Sequence, residues 1–269
     1  MPDGSNVFCK TSGRLNAFNH PAKERQAVTL SEMLHHRRSV RHYDANQPLN
    51  SDKVRECLKL AQLAPSSSNM QLYEFYHITD KTVLKALAHA CLDQQAATTA
   101  QQMVVFVTRQ DLYRRRAQSV LTFERGNLSR NSPPEKLAGR LKKSSGYYGK
   151  LMPFLYSRCF GLMGALRKLI AHSIGLFRPM TVNVSEADMR VATHKSCGLA
   201  AQTFMLAMAE QGYDTCPMEG LDSRLAKRIL KLPRGAEINM IIACGIRQEG
   251  RGIWGERYRL PFDEVYRHI

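Results

Sequence analysis

Within five residues the chain sets three guanidiniums and a hydroxyl: Arg37, Arg38, Ser39 and Arg41. Planar arginine forks match the oxygens of a phosphate, and a serine adds a compact donor. A second basic pair, Arg257 and Arg259, stands near the other end of the sequence. Two phosphate-competent clusters so far apart predict a fold that closes both on one anion. Taken alone, the first would be an ordinary solvated basic turn.

Two further stretches carry usable chemistry. Ala64-Pro65-Ser66-Ser67-Ser68-Asn69-Met70-Gln71 offers hydroxyls and amides that can hold the edge of a flat, heteroatom-rich ring, or simply joins a helix to a strand. Cys216-Pro217-Met218-Glu219-Gly220-Leu221-Asp222 reads as a loop in which Gly220 lets backbone approach a ligand, with an ordinary turn as the alternative. The glycine pattern that cradles nucleoside triphosphates, G-x-x-x-x-G-K-[ST], is absent, as are H-E-x-x-H and G-x-S-x-G. His35 and His36 point about 100° apart on a helix, which argues against a metal, and no metal site is expected.

These residues need elements to position them. A helix is predicted over Thr29 to Arg37. Ser51 is expected to cap a second helix carrying Val54, Leu58 and Ala61 on one face, ended by Ala64-Pro65. Tyr73 to Thr79 alternates like a strand, and Asp80 caps a helix with Val83, Leu84, Leu87 and Cys91 at helical spacing. Met103 to Val107 is a buried strand, as is Glu237 to Cys244. Ser185 opens a long helix to Gln211, with Glu186 and Asp188 near its positive end and Gly212 as its stop. Asp222 or Ser223 caps a last helix, Leu225 to Leu230. Helices alternating with apolar strands place the chain in the α/β or α+β class.

Charge divides the chain differently. Its 269 residues carry a formal charge of +16. Residues 109–180 hold 15 Lys and Arg against 3 Asp and Glu, so twelve of the sixteen excess charges lie there. Within this segment 127–134 reads as a loop, 135–143 as a very basic helix, and 151–177 as apolar but interrupted, too short for a membrane span of about 20 residues. Arg114-Arg115-Arg116 and Lys142-Lys143 could meet phosphates while Tyr147, Tyr148 and Phe154 stack or insert. The segment therefore predicts peripheral contact with an anionic surface or nucleic acid, a solvated flap, or dimer packing. The seven cysteines are scattered with no C-x-x-C pair, which predicts reduced thiols and a cytoplasmic protein. Residues 1–28 are polar and read as an arm with no signal peptide.

The order R-R-S-V-R, A-P-S-S-S-N-M-Q, C-P-M-E-G-L-D and G-E-R-Y-R-L-P-F-D-E-V resembles the FMN-dependent nitroreductase family over about 29–108 and 185–266. The resemblance implies a central mixed sheet flanked by helices, in one flavin-binding domain over 29–269 that is interrupted by the insertion at 109–180. It implies FMN as cofactor, NAD(P)H as reductant, a homodimer with flavin sites at its interface, and ping-pong transfer of hydride to nitroaromatics or quinones, with reductive dehalogenation or flavin breakdown as related activities. Arg37, Ser39 and Arg41 would hold the FMN phosphate and ribityl chain, with Arg38 beside them, and Arg257 and Arg259 would close on the same phosphate. Pro65, Ser66, Ser67 and Asn69 would line the ring from the partner subunit. Glu219 and Gly220, following Pro217 and Met218, would present N–H groups to its redox edge. Asp93, Gln94 or Gln95 would meet the pyrimidine edge, Gln95 first among them, and Ser196 would approach from the long helix. No side chain is assigned as catalytic acid or base, because the chemistry is centred on the flavin.

Overall fold

The computed structural model describes residues 28–269. The predicted arm over residues 1–28 lies outside the described residues apart from Val28.

Four strands build the sheet: β1 (Tyr73–Ile78), β2 (Gln102–Thr108), β3 (Asp214–Met218) and β4 (Glu237–Gly245). Their order is β1-β2-β4-β3, and every neighbouring pair is antiparallel. Among the described residues, parallel pairing is confined to a single bridge between Ser39 and Thr215. Every residue of β2 is buried because both faces of the sheet are covered. Met103, Val105 and Val107 join a core with α3 (Lys81–Ala90), α4 (Gln95–Thr98) and α10 (Ser223–Ile229). Val104 and Phe106, alternating with them, join a second core with α2 (Ser51–Ala61) and α9 (Glu186–Glu210). The continuous apolar run is thus the signature of a strand buried on two sides.

Helix starts follow side-chain chemistry. Thr29 and Glu32 form a reciprocal capping box on α1 (Leu30–His36), and Ser185 with Asp188 does the same on α9. Asp80 and Asp222 cap α3 and α10. One expected cap moves: Asn50, not Ser51, starts α2, its Oδ1 accepting from the Asp52 and Lys53 N–H groups at 2.8 and 3.1 Å. Gly212 adopts a left-handed φ of +73° just past α9, as its stop role requires.

Two other expectations change. Cys216-Pro217-Met218 is not a loop but part of β3, an edge strand. Proline is tolerated there because an edge strand has one side that needs no ladder donor. The stretch expected as a loop over 127–134 is helical through residue 131 within α5 (Tyr113–Asn131). The Asn131 side chain donates back to the Asn127 carbonyl and side-chain oxygen at 2.9 and 2.8 Å, which supports the final turn. The helix ends because Ser132 precedes a proline and is extended.

The insertion continues as α6 (Pro134–Gly146), a wider turn at Tyr147–Leu151, α7 (Met152–Tyr156) and α8 (Leu162–Gly175), and α11 (Phe262–Val265) lies near the C-terminus. No helix among the described residues is long and apolar enough to cross a membrane.

Glu237, at the start of β4, ties the insertion to the sheet. Its carboxylate accepts from His194 at 3.2 Å, from Arg190, and from Arg158 at 3.2 Å. The His194 bond foremost, and then Arg190 and Arg158, hold its pKa at about 2 despite partial burial. A depressed carboxyl pKa gives stability that is complete above the ordinary value and is lost as pH falls toward the folded one. Melting temperature should therefore fall between pH about 4.5 and 2 in the native chain, and Glu237→Gln should flatten that part of the acid limb while lowering stability at neutral pH.

Candidate functional site

The two arginine clusters do meet. Arg37, Arg38, Ser39 and Arg41 line one cavity of about 440 Å³ together with Arg257 and Arg259, and Glu256 is its one lining carboxylate. Ile253, Trp254 and Tyr258 complete the wall.

The segment from Arg37 to Asp44 is threaded between an edge strand and the chain beyond β4. The Val40 N–H donates to Thr215 O at 3.2 Å and the Arg41 N–H to Gly252 O at 2.9 Å. The Gln248 N–H donates to His42 O, and the Asp44 N–H to Ile246 O. Val40 and Tyr43 are buried inward, and the side chains of Ser39 and Arg41, on either side of Val40, turn outward. The Tyr43 hydroxyl donates to Ala243 O at 3.0 Å.

Beneath the cavity lies Asp214, whose side chain is almost wholly buried. It accepts from the Arg247 N–H at 2.8 Å and from its guanidinium Nε at 2.9 Å, and His36 Nε2 lies 3.3 Å away. Burial alone would raise this carboxyl, but the bonds from His36 and Arg247 outweigh it and lower the pKa. Arg247 also donates to the His36 carbonyl at 2.9 Å, so the buried carboxylate anchors the end of α1.

The arginines divide their work. Arg257 donates to the carbonyls of Leu34, His35 and Arg37 at 2.9, 3.0 and 2.6 Å. These are the unsatisfied acceptors of a helix C-terminus, where a cation is also favoured by the dipole. Arg38 donates to Gly255 O at 3.0 Å, and Arg259 to the neighbouring Tyr258 carbonyl at 2.7 Å. Arg37 is half-buried and has no side-chain hydrogen bond or ion pair among the described residues. Burial first, and then the charges of Arg257, Arg259 and Arg38, lower its pKa. Like charges brought this close around a cavity create a positive field that favours an anion.

The other predicted residues fall into two groups. Cys216, Pro217 and Met218 continue β3 beside the cavity; burial pushes the Cys216 thiol up while nearby Arg41 and Arg37 oppose part of that rise. Glu219 and Gly220 follow, exposed. Gly220 has no left-handed φ, and a Cβ there would meet only Gln94 Nε2 at 3.7 Å, so its backbone conformation does not demand glycine. Of the three candidates near residue 94, Gln94 donates to Gly220 O at 2.7 Å, Asp93 turns to His89, and Gln95 is exposed on the first turn of α4.

Pro65, Ser66, Ser67 and Asn69 are not brought to this cavity. Their loop stands on α9, where the Ser67 N–H donates to Ser196 Oγ at 3.1 Å and Ser196 donates to Ala192 O at 3.1 Å. The Gln71 N–H donates to Ser66 Oγ at 3.1 Å, and Ser68, Asn69 and Gln71 all have positive φ. The insertion clamps the same loop: Tyr147 and Ser68 hydroxyls lie 2.7 Å apart, and the Tyr148 hydroxyl donates to Ser68 O at 3.3 Å.

The nitroreductase family model matches residues 34–246. The chain belongs to the nitroreductase family. MhqN of Bacillus subtilis (strain 168), an NAD(P)H nitroreductase by name, is 23% identical over 241 residues, which are 89% of this chain and 98% of MhqN. The crystal structure of the B. subtilis nitroreductase ydfN superposes with a TM-score of 0.65 at 20% identity, covering 89% of this chain and 98% of that one. A nitroreductase from Exiguobacterium sibiricum 255-15, solved in complex with FMN, does so with a TM-score of 0.62 at 18% identity over 91% and 99% of the two chains. In this chain the family match stops before Arg257 and Arg259, yet those residues complete the cavity.

Sequence reasoning missed Trp254, Glu256 and Tyr258 as cavity residues and Gln94 as the tether of Gly220. The first three had a usable signal in their closeness to Arg257; the last depended on a contact across 126 positions.

Gly245 makes the arrangement possible, because a Cβ there would lie 2.3 Å from Tyr43 Cδ1 and 2.4 Å from Cγ. Gly245→Ala should cost about 1–3 kcal/mol by overpacking, read as a lower urea midpoint, and should loosen the Arg37–Asp44 segment, read as faster amide exchange at Arg41.

Proposed function

We propose that this chain is an FMN-dependent oxidoreductase that passes hydride from NAD(P)H to nitroaromatic or quinone acceptors, and that it works as a homodimer. The observation that supports the reading is the convergence of Arg37, Arg41 and Arg259 on one cavity, with the Arg37 guanidinium unpaired among like charges. Such a donor set fits a phosphomonoester of about −2 charge. Its mutual repulsion is relieved when an anion is bound.

FMN bound there supplies hydride-accepting and hydride-donating chemistry at its ring. The chain's own residues bind and polarise. Arg37 and Arg41 offset the phosphate charge, Ser39 adds a hydroxyl donor, and Arg259 closes from the C-terminal side. Arg257 acts as a positioning residue, since its donors are already committed to α1 carbonyls. The exposed N–H groups of Glu219 and Gly220 follow the end of β3 and would favour negative charge at the ring's redox edge. Gln95 and Ser196 keep their roles in this reading as ring neighbours, with Gln94 setting the position of Gly220.

Pro65, Ser66, Ser67 and Asn69 do not line the cavity of their own chain. They complete a site if a second copy delivers them. α9 suits that pairing because it leaves Val191 and Leu199 exposed. Reductant and acceptor would then occupy the same open face in turn, which gives parallel-line, ping-pong kinetics.

Arg37→Ala combined with Arg259→Ala should yield colourless protein that binds added FMN about a hundredfold more weakly or worse, at about 1.5–3 kcal/mol for each charge-assisted hydrogen bond removed. Fluorescence titration of FMN measures this. Full retention of yellow flavin by the double variant would overturn the assignment.

A further inference from the structure

Helix α8 is built inside out. Its covered side carries Gly164, Arg167 and Ala171, while Leu162, Leu166, Leu169 and Leu176 face solvent. At about 100° per residue those four leucines, the last just past the helix, share an arc of roughly 80°, opposite the covered side. Leu162 and Leu169 are each 68% exposed, and Phe160 and Phe177 stand free at the two ends. This rotation is not an accident of loose packing. Arg167, only 2% exposed, donates to the carbonyls of Val184, Phe154 and Ser157 at 2.7, 2.8 and 3.0 Å. Gly164 sets the approach to α9, since a Cβ there would lie 2.8 Å from the Glu186 backbone nitrogen. With Arg167 and Gly164 locked inward, the leucine stripe has nowhere to go but out.

An apolar stripe of this kind on a water-facing surface marks something that covers it. The charge around it selects what. Residues 151–180 contain four Lys and Arg and no Asp or Glu, and Lys168 and Arg178 are exposed. The nearest carboxylates along the chain, Glu186 and Asp188, are committed to the Cys159 N–H and to the Ser185 cap. A second copy would bring the same positive field against this one. We infer that α8 with its flanking phenylalanines is a docking surface for an anionic lipid bilayer, lying in the headgroup plane with the leucines and phenylalanines inserted and the cations over lipid phosphates.

The test uses the full chain and does not depend on the flavin reading. In co-sedimentation with phosphatidylcholine vesicles, inclusion of phosphatidylglycerol should raise partitioning at least about tenfold, and added salt should reverse the gain. Leu166→Ser with Leu169→Ser should lower partitioning about tenfold while circular dichroism stays unchanged, because both positions are exposed. Lys168→Glu should lower it roughly fivefold or more. Equal binding to neutral and anionic vesicles would overturn the inference. So would full retention of binding by the double variant, which would assign it to cations elsewhere in 109–150. Loss of self-association in the double variant, with no vesicle binding in the native chain, would make the occupant a second copy and likewise overturn it.

Discussion

Five guanidiniums held around one cavity repel each other, and the surrounding fold supplies the constraints that keep them there. Asp214 does most from below: its buried carboxylate joins Arg247 to His36 and so fixes where α1 ends and Arg37 begins. Arg257 does it from the side by committing its donors to the carbonyls that α1 leaves open. Tyr43 and Gly245 complete the fit, since the ring lies where a side chain on residue 245 would be. Each constraint uses groups that are satisfied inside the protein. Among the described residues Arg37 is left without a side-chain partner, and an unpaired, half-buried cation is a stronger mark of a ligand site than a surface arginine.

The insertion obeys a different logic. It is clamped to the sheet by the carboxylates of Glu237 and Glu74, the latter paired with Arg109, and to the Ser66–Gln71 loop by Tyr147 and Tyr148. Those tyrosines, candidates for stacking on nucleic acid by sequence, use their hydroxyls to brace a loop. In the structure Arg158 precedes α8 and pairs with Glu237, while Arg167 points inward to carbonyls. The basicity of 109–180 is thus heterogeneous: some cations hold the insertion together, and the rest remain on its surface.

How much is legible in the residues themselves varies with the range of the interaction involved. The helix start at Ser185, the aspartate caps and the two buried strands follow from chemistry within a few positions, and they appear where expected. Local composition misleads where something beyond it decides the outcome. Cys216-Pro217-Met218 has a proline and reads as a turn, yet pairing with β4 and the bridge to Ser39 make it an edge strand. Asn127 to Asn131 has loop composition, yet the side-chain bond between those two asparagines sustains a helix.

By itself the sequence determined the layer class, most element positions, the family resemblance and the two arginine clusters, because each rests on local periodicity or on residue type. Tertiary structure alone decided that the clusters share a cavity, that Arg257 serves α1 while Arg37 finds no partner among the described residues, and that the serine loop stands apart on α9. It also decided that α8 turns its leucines outward. The reason is physical: partner choice for a guanidinium, and the direction a helix face points, depend on atoms that only folding brings within a few ångströms.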